Sequence, residues 1–183
     1  GTTIFQGTEV FSATSTFQVN DWQSTATPLP NNCSSNFGHV ILNWSTVFLW
    51  DNNNLGITNT IQGNFTLQNS VATFLNSANG NIAITIGGNL LIQADAYLEV
   101  KRNSTGDVGF TVNGSTTVTA ATSTFYGILS NGTASNGNFT FSTAGFTIGT
   151  GAVFIGVYAA GSNATGSCTF TTSTYTQTAG TFY

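Results

Sequence analysis

The residues able to do acid–base, nucleophilic or metal chemistry are few. The chain of 183 residues holds six carboxylates, two cations, one histidine and two cysteines. The carboxylates are Glu9, Asp21, Asp51, Asp95, Glu99 and Asp107. A glycosidase needs two carboxyl groups facing each other across a cleft, and none of these acids sits in a local setting that suggests such a pair. His39 stands in Gly38-His39-Val40-Ile41-Leu42, a strand-like run, and reads as a structural or surface histidine rather than a base. Two thiols and one imidazole make a poor zinc site. Asp51-Asn52-Asn53-Asn54 spaces its oxygen atoms as a weak calcium loop would, but reads first as a turn. No GxSxG elbow, P-loop, HExxH or Rossmann glycine pattern occurs. These residues argue against an enzyme, and no cofactor or metal is expected.

One charge cluster exists. Glu99, Lys101, Arg102 and Asp107 bracket Asn103-Ser104-Thr105-Gly106, which reads as a hairpin tip. Asp107 could pair across the tip with Lys101 or Arg102, a contact that contributes only a few tenths of a kcal/mol when exposed.

Composition excludes other partners. Charged residues are 4% of the chain, and Thr, Ser, Asn and Gly make up about half of it. Two cations cannot neutralise a nucleic-acid backbone or hold an anionic membrane surface. No apolar run is long enough to cross a bilayer as a helix. Fifteen phenylalanines set the chain apart from a disordered polar tract. With so few groups to titrate, the chain suits an acidic exterior. Gly1 and the absence of Met fit a mature chain from which a secretory signal has been removed.

The elements that must carry these residues are strands. Period-two alternation appears in Ala83-Ile84-Thr85-Ile86, Phe110-Thr111-Val112, Phe139-Thr140-Phe141 and Phe170-Thr171. Turn signals stand between them at Asn31-Asn32, 51–54, Asn79-Gly80, 103–106, Asn131-Gly132 and Asn136-Gly137. No stretch carries the helical period with caps. Residues 80–100 and 137–157 align without gaps. They read either as repeated hairpins of a sandwich or as coils of a β-solenoid. No further copy recurs at that spacing, so the sandwich is favoured.

Cys33 and Cys168 are read as a disulfide that staples the start of the main domain to its end, with two buried free thiols as the plainer alternative. Sequons occur at Asn32, Asn43, Asn64, Asn103, Asn113, Asn131, Asn138 and Asn163, close to the number chance gives in so Asn- and Thr-rich a chain. In a secreted protein several would carry N-glycans.

The N-terminal 20 residues place Phe5, Gly7, Glu9, Phe11 and Ala13 on one face of a strand and polar residues on the other. Residues 1–20 are therefore either the first strand of the domain or a tail that fills a groove in a neighbouring subunit, ahead of a head domain over 21–183. The extended N-terminal strand, the bridge, the scarcity of charge, the sequons and the end Gly180-Thr181-Phe182-Tyr183 together resemble the thread pilins of acidophilic archaea. That resemblance implies an incomplete immunoglobulin-like or jelly-roll-type sandwich head, a donor strand shared between identical subunits in a head-to-tail extracellular filament, and no enzymatic activity. The alternative is a monomeric β-solenoid or β-sandwich adhesin or carbohydrate-binding module.

Overall fold

The computed structural model describes residues 11–20, 37–43, 47–51, 58–68, 71–76, 81–93, 95–102, 106–130, 137–159 and 166–183. These residues form strands and no helix, as the alternation requires. The sandwich is not what they build. Every strand pairing is parallel, and partners lie 23 to 31 residues apart, from Thr16 opposite His39 to Val108 opposite Phe139. A sandwich of hairpins would pair consecutive strands antiparallel across tight turns. Here the chain from residue 39 onward passes back and forth between two sheets, with one long strand or two short ones in the first sheet per coil, and each coil stacks on the one before it. The fold is a β-solenoid.

The first sheet contains β1 (Thr16–Val19), β2 (His39–Leu42), β4 (Thr58–Ile61), β5 (Phe65–Leu67), β7 (Ile82–Ile86), β8 (Leu90–Ile92), β10 (Val108–Val118), β12 (Phe139–Ile148) and β14 (Cys168–Gln177). Its strands bend midway. β7 and β8 are two pieces that the longer β10 joins into one, with a register shift between Val112 and Ser115. The second sheet runs β3 (Val47–Asp51), β6 (Val71–Asn76), β9 (Tyr97–Arg102), β11 (Thr124–Ser130), β13 (Val153–Ala159) and β15 (Thr181–Phe182).

Alternation along these strands fills the space between the sheets. Ile82, Ile84 and Ile86 point inward from β7, Val108, Phe110 and Val112 from β10, and Phe139 and Phe141 from β12; all are buried. Phe125 of the second sheet meets Phe110, Phe139, Phe141 and Phe154 edge-on at 5.0–6.5 Å between ring centres. Burying a phenylalanine contributes roughly 2–3 kcal/mol, so this aromatic column dominates the core.

Side-chain ladders fix the register at the bend. The Asn64 N–H donates to His39 Nδ1 at 3.0 Å, the Asn89 N–H to Asn64 Oδ1 at 2.9 Å, and the Ser115 N–H to Asn89 Oδ1 at 2.8 Å. Each ladder side chain lies over the glycine that precedes the next rung. A Cβ on Gly88 would stand 2.3 Å from Asn64 Oδ1, and one on Gly114 would stand 2.2 Å from Asn89 Oδ1. A second ladder runs at the start of the same strands. Asn81 Oδ1 accepts from the Asp107 N–H at 2.8 Å, Asp107 Oδ1 from the Asn138 N–H at 2.8 Å, and Asn138 Oδ1 from the Ser167 N–H at 3.2 Å.

The corner into the second sheet is also stacked. Asp95, Thr122, Gly151 and Ala179 occupy equivalent places in successive coils and all have positive φ (62°, 75°, 74° and 52°). Three of the four are not glycine, and Thr122 is β-branched, an uncommon choice for this backbone region. Its hydroxyl bonds the Asp95 carboxylate in the coil below.

Several sequence expectations change place in this fold. Phe11 stacks on Phe37 of its own chain at 4.9 Å, and Phe17 meets Phe37 at 5.1 Å, so these rings cover the N-terminal end of the core. Ala13 lies in an exposed turn, and Phe5, Gly7 and Glu9 fall outside the described residues. Cys168 is an exposed free thiol on the last strand of the first sheet, and Cys33 falls outside the described residues.

Candidate functional site: two outer faces

Outward residues of the first sheet fall into columns, one residue per coil. Thr60, Thr85, Thr111, Ser142 and Thr171 form one column, in register from β4 through β7, β10 and β12 to β14. Thr117, Thr147 and Thr176 form a second beyond the bend, where Leu91 precedes them, and Thr140 and Thr169 share a third with Ala83 and Gly109. All of these side chains are partly or fully exposed. The Ser142 hydroxyl donates to Thr111 Oγ1 at 3.5 Å, so neighbouring rungs align their oxygens. No acid, base or aromatic ring stands in these columns. Successive strands are about 4.8 Å apart and alternate residues along a strand about 6.7 Å apart, so the hydroxyls form one full column, flanked on β12 and β14 by Thr140 and Thr169. Threonine is stiff at χ1, which holds each methyl and hydroxyl in place.

The second sheet bears the chain's titratable cluster. Glu99 and Lys101 of β9 are buried, and Lys101 Nζ donates to the Gly106 carbonyl at 2.7 Å. Burial holds the Lys101 ammonium down to about 8, while the nearby Asp107 carboxylate pulls the other way. Asp107 itself is spent on the ladder, where it takes both the backbone and side-chain N–H of Asn138. The expected hairpin is not formed: β9 lies in the second sheet and β10 in the first, so the two strands do not pair, and residues 103–105 lie outside the described residues. Tyr126 lies opposite Glu99 on the neighbouring strand. Its ring meets Tyr97 at 5.1 Å and Tyr158 at 6.0 Å. Its phenol is pushed up by burial, then by Tyr158 and Glu99.

Other candidates resolve into structure. His39 is a ladder acceptor, and Asn64 and Asn138 are ladder members although each heads a sequon. Among the sequons, Asn43 and Asn113 are exposed, while Asn32, Asn103, Asn131 and Asn163 lie outside the described residues. No group of three or more His, Cys, Asp or Glu among the described residues could hold a metal ion, and no described helix is long and apolar enough to cross a membrane. The hydroxyl columns were absent from the sequence reading. Alternating Thr residues were visible, but which of them stack depends on register between coils of unequal length.

No protein family, curated protein or solved structure matches the chain.

Proposed function

We propose that the chain is a non-catalytic β-solenoid binding module of the adhesin type, acting outside the cell through the outer face of its first sheet. The column Thr60–Thr85–Thr111–Ser142–Thr171, repeated once per coil with no charge among its members, carries this reading. A flat, repetitive array suits a repetitive partner rather than a single small molecule, for which a concave site is the rule. The filament built by strand donation loses its main support, because that mechanism needs a sandwich with a missing strand. The inner strands of this solenoid have neighbours from their own chain on both sides.

The test is retention on insoluble repetitive solids (chitin, cellulose and ice) by the wild type and by Thr111→Tyr, whose ring would stand proud of the array. Retention by at least one solid, lost in the variant, is expected. Equal retention of both proteins on every solid that binds would overturn the reading.

A further inference from the structure

We infer that the ligand of the hydroxyl face is ordered water at the surface of ice, an inference that rests on that face being the working surface. The array decides the chemical class. The column from Thr60 to Thr171 repeats about every 4.8 Å across the strands, and Thr140–Ser142 and Thr169–Thr171 add a repeat of about 6.7 Å along two of them; both lie near the spacings at which oxygen atoms recur on a prism face of ice. Each threonine offers an oxygen that can both donate and accept beside a methyl group. Water anchored to such a lattice of fixed oxygens joins a growing crystal without first being rearranged. The array is preorganised, because β-branched side chains in a hydrogen-bonded sheet have little rotamer freedom left to lose on binding.

Two further features of the same face agree. It carries no strongly hydrated ion to impose a water geometry foreign to the crystal; the described charged residues at the ends and corners of the strands are Asp95 and Asp107, each engaged with a neighbouring coil, Asp95 with the Thr122 hydroxyl and Asp107 with Asn138. The ladders through Asn64 and Asn89 and through Asn81 and Asp107 lock successive coils together. Side-chain ladders of this kind allow a many-stranded sheet to stay flat across its strands, and the half of the face before the bend, with Thr111, Thr140 and Ser142, is the part that meets the crystal plane.

A polysaccharide is the competing solid, and the face offers it little. Recognition of sugar rings relies on aromatic platforms and on side chains that make paired hydrogen bonds. Tyr97, Tyr126 and Tyr158 lie on the second sheet, and Tyr175, exposed on the last strand of the first, pairs with the core residue Phe146 and stands outside the hydroxyl columns.

The experiment is ice-affinity partition. A dilute solution of the whole chain is frozen slowly, and the fraction of protein entering the ice is measured, with thermal hysteresis recorded on the same samples. Wild type, Thr111→Tyr, Thr140→Tyr and the opposite-face variant Tyr158→Ala are compared after far-UV circular dichroism shows a shared fold; Thr140→Tyr serves if Thr111→Tyr does not fold. Wild type and Tyr158→Ala should enter the ice and show hysteresis, and the threonine variants should lose both. Entry of the threonine variants at the wild-type level would overturn the assignment. Rejection of the wild type from ice would overturn it too, and binding to chitin or cellulose then separates the two levels. Binding there that Thr111→Tyr abolishes leaves the face as the working surface with a sugar ligand. Binding to neither solid removes both readings.

Discussion

On β10 and β12 the outward residues include Thr111, Thr117, Thr140, Ser142 and Thr147; one corner away, on β9, β11 and β13, they include Tyr97, Tyr126 and Ile155. Both sets sit on the same stacked backbone, in coils closed by the same corners. Yet the column from Thr60 to Thr171 on the first sheet repeats one chemistry, whereas Tyr126 and Ile155, in register on the second, do not. Stacking alone therefore does not impose a hydroxyl lattice. Core packing does not either, since these side chains point away from it. The difference separates what holds the solenoid together from what it displays.

The largest way to break the comparison is to remove what the two faces share. Phe125→Ala empties a fully buried site among Phe110, Phe139, Phe141 and Phe154. It should cost about 3–5 kcal/mol in urea unfolding and abolish surface binding along with the fold. A smaller change should touch one face only. Asn89→Ala removes the acceptor for the Ser115 N–H at the bend of the first sheet. A loss of about 1 kcal/mol is expected, with reduced retention on the target solid and unchanged tyrosine fluorescence from the second sheet.

The second face can be addressed through pH. The folded-state value of Lys101, about 8, lies below its ordinary 10.5, so above pH 8 the unfolded chain binds more protons there than the folded one. Stability should rise with pH from about 8 to 9. Above that, the raised Cys168 thiol, and then the raised Tyr126 and Tyr175 phenols, work in the opposite sense. Unfolding midpoints of wild type and Lys101→Met between pH 7.5 and 9 check this, the rise being absent in the variant, while retention by the hydroxyl face stays flat across the range. The smallest effect is chemical. Asn64 and Asn138 have their amide groups committed to ladders, and a glycan on Asn113 would cover the array. Glycopeptide mapping of secreted protein should find these three bare and Asn43 open to modification.

Much of the fold was legible in residues 81–159. Alternation gave the strands. The similarity of 80–100 to 137–157 was the solenoid itself, seen two coils apart. It misled because the steps differ: Val108 is 26 residues from Ile82 but 31 from Phe139, so no fixed period emerges. In the second sheet the ungapped match is off by one, since Tyr97 stacks through Thr124 on Val153. The corners were hidden for another reason. Only Gly151 advertises the left-handed backbone that Asp95, Thr122 and Ala179 also adopt. The role of the ladder glycines was hidden too, because the side chain that needs their missing Cβ comes from about 25 residues away.

The central claim is that the first sheet's outer face is the working surface, and one paired measurement reaches it most directly. Thr111→Tyr and Tyr158→Ala are each compared with wild type for the fraction of folded protein held on ice at equal concentration. The account predicts loss for Thr111→Tyr and wild-type retention for Tyr158→Ala. Retention by Thr111→Tyr together with loss in Tyr158→Ala would move the working surface to the tyrosines of the second sheet and contradict it.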